Sequence, residues 1–177
     1  MELWAQDEAR LGLIPITRRV WAPKGQRPKS SSKRRYEWVY VYGFVCPSTG
    51  KVQWLILPTV NTELFELALA EFARATGASS EKHIAVVLDQ AGWHKAKGLK
   101  VPEGIHLIFQ PAHSPELQPA EHLWPLLRET VANDWFETIE KLENTLFDRC
   151  RYLRTQPDLI RTATHFHWWQ QIEDQVA

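Results

Sequence analysis

The chain is poor in sulfur: among 177 residues it has one methionine and two cysteines, Cys46 and Cys150. Two cysteines so far apart form neither a disulfide framework nor a metal-type pair, and they read as buried thiols in a reducing compartment. No apolar run approaches the roughly 18 residues of a membrane span. The opening Met1-Glu2-Leu3-Trp4 also lacks the basic-then-apolar pattern of a secretion signal. These absences point to the cytoplasm, with no membrane partner. No glycine-rich phosphate loop follows any candidate strand, which weakens a dinucleotide-binding reading. Net charge is absent too, with 21 Lys and Arg against 21 Asp and Glu.

What is present is uneven. From Ala9 to Tyr36 the chain has nine basic residues and no acid: Arg10, Arg18, Arg19, Lys24, Arg27, Lys29, Lys33, Arg34 and Arg35. The remainder therefore carries an equal acidic excess. Such a segment reads either as an arm for nucleic-acid phosphates or as a solvated loop. Pro23, Gly25, Pro28 and the Ser30-Ser31-Ser32 run mark it as loop. Nine tryptophans imply an aromatic interior or a surface that meets a partner.

Local patterns give an order of elements. Residues 2–8 read as a strand. Tyr36 to Cys46 alternates Trp38, Tyr40, Tyr42 and Phe44 on one face with Val39, Val41 and Val45 on the other. A strand apolar on both faces belongs inside a sheet covered on both sides. Pro47-Ser48-Thr49-Gly50 turns it into a partner strand over 51–58. Asn61 is placed to cap a helix whose Phe65, Ala68, Leu69 and Phe72 share a face and which ends near Gly77. Buried strands follow at Ile84–Leu88 and Ile105–Phe109. A Pro-rich loop leads into helices, one with the stripe Ile139, Leu142, Leu146, Cys150 and Leu153, and one over Leu159 to Ile172. The fold class expected is α/β: a ribonuclease H-like mixed sheet with helices on both faces, in a single domain over 1–177. The basic loop occupies 17–35 and the C-terminal helices 138–177.

Acids stand at informative places in that order. Asp7 follows the first apolar stretch, Asp89 follows Leu88, and Glu116 and Glu121 flank Pro119 after the last strand. Carboxylates at strand ends and a helix start can converge on one or two divalent ions, although a lone strand-end Asp is often only a turn-former. Glu8 should face away from Asp7 by strand alternation. His94, His113 and His122 lack the close spacing of a zinc site. His94 reads either as a contact to the scissile phosphate or a metal-bound water, or as a loop histidine bonded to backbone. Trp93, Trp124, Trp168 and Trp169 read as core or as stacking platforms for unpaired bases.

Four blocks then carry a resemblance: Gln6-Asp7-Glu8-Ala9-Arg10, Val20-Trp21-Ala22-Pro23-Lys24-Gly25, Asp89-Gln90-Ala91-Gly92-Trp93-His94-Lys95, and His113 through Trp124. In this order the chain resembles the DDE transposases, specifically bacterial insertion-sequence relatives of the mariner superfamily. The resemblance implies that Asp7, Asp89 and Glu121 are the catalytic, metal-binding triad. Glu116, in the Pro-bounded loop, is the weaker rival for the third place. The implied cofactor is Mg2+ or Mn2+, two ions, and the implied reaction is DNA cleavage followed by strand transfer. The implied partners are transposon ends and target DNA, a second copy in the active dimer, and a separately encoded N-terminal DNA-binding half. Arg18, Arg19, Lys24, Arg27, Lys29, Lys33, Arg34, Arg35 and His94 would touch DNA.

Three features depart from the family pattern. Gln90 stands where Asn is common. Pro125 either bends a helix beside Glu121 or starts it, and the helix-turn-helix region that precedes the first catalytic strand in the family is not seen. The alternatives are another ribonuclease H-like nuclease of resolvase type, or a silent remnant that only binds DNA or dimerises.

Overall fold

In the computed structural model, residues 1–26, 35–112 and 114–176 are described. Arg27, Lys29, Lys33, Arg34 and His113 therefore lie outside the described residues. Five strands form one sheet: β1 (Glu2–Gly12), β2 (Trp38–Cys46), β3 (Lys51–Leu57), β4 (Ile84–Leu88) and β5 (Ile105–Phe109). Their order is β3-β2-β1-β4-β5. The two hairpin pairings are antiparallel, while β1–β4 and β4–β5 run parallel. This is the mixed ribonuclease H-like sheet expected from the element order. The first strand runs four residues past its expected end, because Ala9 to Gly12 stay paired with Trp38 to Val41.

Alternation along the strands divides the core between the two faces. Trp4, Tyr42, Phe44, Val86 and Leu88 point toward α1 (Thr62–Thr76) and meet Phe65, Leu69 and Phe72. Phe44 stacks on Phe72 at 4.3 Å between ring centroids, and Trp4 meets the same ring edge-on at 5.0 Å. Full burial of one such ring contributes about 1.5–3 kcal/mol. Helix α1 starts where Asn61 accepts the Leu64 N–H, and ends at Gly77, whose φ of 73° fits the left-handed cap.

Leu3, Ala5, Ala9, Leu11, Val39, Val41 and Val45 face the other way. They are covered by α2 (Leu123–Arg128), α3 (Ile139–Arg154), α4 (Pro157–Thr164) and α5 (His167–Val176). Helix α3 buries Leu142, Leu146, Cys150 and Leu153 as the stripe requires, while Phe147 stays exposed beside Arg151. The single tail helix expected over 159–172 is two helices, broken at His165 and Phe166. Phe166 leaves helical geometry to pack edge-on against His122 at 4.8 Å. No helix among the described residues is long and apolar enough to cross a membrane.

Candidate active site

The parallel register pairs Ala5 with Val87. Asp7 stands two residues past that last pair on β1, and Asp89 two past it, just beyond the end of β4. Both acids share parity with Leu3, Ala5 and Ala85, so they rise on the same face of the sheet. Glu121 arrives from elsewhere. After β5 the chain makes two short 3-10 turns, Pro115–Leu117 and Pro119–His122, each opened by a proline. The second turn carries Glu121, and α2 begins two residues later. Pro125 thus sits in the first turn of α2, where its missing N–H costs nothing. The helix starts at Leu123 rather than at Pro125 itself, and a bend beside Glu121 is not needed.

Asp7, Asp89 and Glu121 line one open cleft of about 480 Å3, with Gln90, Gln110 and Gln118. Glu116 sits on the neighbouring turn and is not among the lining residues. The turns are pinned by two buried glutamines absent from the sequence-based site. Gln118 Nε2 donates to the Gln6 carbonyl at 3.0 Å, and Gln110 Nε2 donates to the Leu117 carbonyl at 2.8 Å. Gln90 is tied down as well, donating to the Gln110 carbonyl at 2.7 Å and accepting from Lys95 at 2.9 Å.

Asp7 is strongly perturbed. Burial pushes its carboxyl up to about 7, and the Glu121 and Glu8 carboxylates add to the rise. The Trp124 indole N–H donates to its Oδ2 at 2.7 Å and opposes that rise. Trp124 reaches Asp7 because Gly43, the strand partner of Asp7, leaves room for its ring. Trp124 is therefore both core and part of the site, while Trp169 is fully buried.

Asp89 moves the opposite way. Its Oδ1 is 2.8 Å from His94 Nδ1 and accepts the Ala91 N–H at 2.9 Å, and the His94 bond leads in holding its pKa low. His94 is 1 % exposed, and its Nε2 lies 3.0 Å from Glu8 Oε1. Burial alone would lower the His94 pKa, but the bonds to Asp89 and Glu8 carry it up to about 9. Each ring nitrogen thus faces a carboxylate oxygen. The Trp93 indole N–H lies between them, 3.0 Å from His94 Nε2 and 3.3 Å from Glu8 Oε1. Where the sequence suggests a contact to phosphate or metal-bound water, or a backbone-bonded loop residue, His94 is a buried bridge between the Asp89 and Glu8 carboxylates.

Of the basic residues assigned to DNA, Arg18, Arg19, Lys24 and Arg35 are exposed. Arg18 Nη2 donates to the Pro125 carbonyl at 3.1 Å, and Arg35 Nη1 donates to the Glu137 carbonyl at 2.8 Å. Asn133, at φ 61°, accepts the Arg18 N–H, so the start of the basic segment lies against the segment after α2. The acids form an open arrangement. Among the described residues no three His, Cys, Asp or Glu side chains group tightly enough to cage an ion.

Known proteins share this architecture. Mos1 mariner transposase in a paired-end complex with Mg superposes with a TM-score of 0.65 at 18% identity, over 93% of this chain and 51% of that one. The isolated Mos1 catalytic domain gives 0.55 at 13%, over 92% and 82%. In sequence, an uncharacterized protein, y4pE/y4sA, of Sinorhizobium fredii is 45% identical over 92 residues, or 52% of this chain and 67% of that protein. The 39 kDa protein of insertion element IS630 from Shigella sonnei is 27% identical over 133 residues, 73% of this chain. The chain spans 38% of that protein and about half of the longer Mos1 chain. The family model for the DDE superfamily endonucleases matches residues 2–143, and the chain belongs to that family.

Proposed function

We propose that the chain is the catalytic domain of a transposase that cleaves DNA phosphodiesters and joins the freed 3′ ends to target DNA. The observation that carries this reading is the meeting of Asp7, Asp89 and Glu121 on one open cleft, with Asp7 held far above the usual carboxylate range. A carboxylate that burial and neighbouring acids drive toward protonation is relieved by a cation. The donor set therefore fits divalent metal, with Asp7, Asp89 and Glu121 holding Mg2+ or Mn2+. An open oxygen set suits magnesium, which keeps water and takes substrate phosphate beside one or two carboxylates. Bound there, such metal would supply activation of a water or hydroxyl and charge neutralisation at the phosphate.

The chain's own residues do the positioning. Trp124 fixes the Asp7 carboxylate, and His94 fixes that of Asp89. Gln118 and Gln110 hold the turn that presents Glu121, whose exposed side chain reaches the cleft mouth. The exposed Arg18, Arg19, Lys24 and Arg35, with the basic residues between them in sequence, suit nonspecific contact with backbone phosphates. The Mos1 structures are of paired-end and strand transfer complexes, including forms with Mg and Mn. They support DNA ends and divalent metal as partners here, and a second copy in the working assembly.

The test is nicking of supercoiled plasmid in Mg2+ or Mn2+ by wild type and by Asp7→Asn, Asp89→Asn and Glu121→Gln. Wild type is expected to nick and each variant to lose at least about a hundredfold, the scale on which removal of a charge-stabilising group acts. Nicking that survives all three substitutions overturns the assignment.

A further inference from the structure

We infer that His94, anchored on Glu8, leaves Asp89 a single oxygen for metal and so makes the cleft select an ion of magnesium size over calcium. The inference rests on the metal-site reading above and adds a role for two residues outside the triad. Glu8 points to the α1 side of the sheet, away from Asp7, and its side chain is 6 % exposed. A carboxylate buried there needs a charged or donating partner. It has His94, whose ring is 1 % exposed, packed at 4.3 Å on Phe65 of α1, and held at both nitrogens. The ring cannot turn without breaking a bond at one end.

The other end of this bridge falls on one atom. His94 Nδ1 and the Ala91 N–H both approach Asp89 Oδ1, at 2.8 and 2.9 Å, which leaves Oδ2 for the cleft. Magnesium takes six ligands at about 2.0–2.1 Å, usually one oxygen from each carboxylate. Calcium takes six to eight at about 2.3–2.6 Å and commonly uses both oxygens of a carboxylate. Ligation through Oδ2 alone leaves the bridge intact. Ligation through both oxygens sets a cation against two N–H donors already on Oδ1. The penalty falls on the larger ion.

Thermal-shift titrations with Mg2+ alone and Ca2+ alone, on the whole chain, test this. The double variant Glu8→Gln/His94→Leu removes the donor without stranding a buried carboxylate. It is expected to raise the Ca2+-to-Mg2+ affinity ratio about tenfold, the low end of what outer partners of a metal ligand control. Glu8→Gln alone keeps an acceptor for Nε2, and should leave the ratio within about twofold. A merely structural role would weaken both ions together and leave the ratio alone. An unchanged ratio in the double variant, with Mg2+ still stabilising it, overturns the inference and leaves the metal site standing. Wild type that neither ion stabilises overturns the metal-site reading and this inference with it. Should the double variant not fold, nitrogen-15 NMR of the wild-type imidazoles decides: the His94 Nδ1–H signal must persist at saturating Mg2+, and its loss refutes the clamp.

Discussion

Asp7→Asn should make the metal-free protein more stable, although Asp7 belongs to the proposed catalytic triad. Burial and the neighbouring Glu121 and Glu8 raise the Asp7 carboxyl from an ordinary 3.8 to about 7. Between those two values the folded chain keeps a proton that the unfolded chain has lost. Folding therefore becomes less favourable as pH rises through about 4 to 7, and above 7 the full penalty stands. Three pKa units correspond to about 4 kcal/mol. Partial solvent access at the cleft mouth reduces this to about 2 kcal/mol. Asparagine has the same shape, carries no charge, and keeps an oxygen for the Trp124 indole N–H, so little else is lost. In a chelating buffer at pH 8 the variant should unfold about 4–8 °C above wild type, given about 2–4 °C per kcal/mol at this chain length. The gap should close toward pH 4, and added Mg2+ should raise the wild type while barely moving the variant. Thermal unfolding of both proteins at half-unit pH steps measures the curve. A variant less stable than wild type at pH 8, or a gap that ignores pH, refutes the electrostatic account of the site.

Two further substitutions probe the frame around the acids. A Cβ at Gly43 would stand 3.0 Å from Trp124 Cη2 and 3.1 Å from both Leu123 Cδ1 and Trp54 Cζ3. Gly43→Ala should therefore cost about 1–3 kcal/mol by overpacking and weaken the Trp124–Asp7 bond, read as loss of stability together with a higher Mg2+ requirement; unaltered metal response would separate Gly43 from the site. Gln6 is fully buried, with both amide atoms unpaired among the described residues. Gln6→Met keeps its length and removes the unpaired amide, and is expected to add about 1–2 kcal/mol in denaturant unfolding; a destabilised variant would mean that the amide has a partner.

The parts of this molecule that were legible in its sequence are those set by near neighbours. Alternation in β2 showed a strand covered on both sides, Asn61 and Gly77 bracketed α1, and apolar runs before Asp7 and Asp89 marked two strands; Asp7 itself lies inside β1, not at its end. The end of β1 was less legible. Its last residues, Ala9 to Gly12, owe their extended form to pairing with β2, and Arg10 covers the Trp38 ring at 4.8 Å. The break in the tail follows from a contact of Phe166 with His122, which no local period encodes.

The surroundings of the acids were hidden for the same reason. Trp124 donates to Asp7 across 117 residues, Gln118 to Gln6 across 112, and His94 to Glu8 across 86. In sequence each donor looks like an ordinary core or loop residue, since its chemistry depends on which carboxylate or carbonyl the folded sheet brings opposite. Glu8 is the sharpest case. Alternation correctly aims it away from Asp7, and facing away ordinarily removes a residue from a site. The His94 ring carries its influence around the end of β4 to Asp89, so the face a side chain occupies did not determine the site it serves.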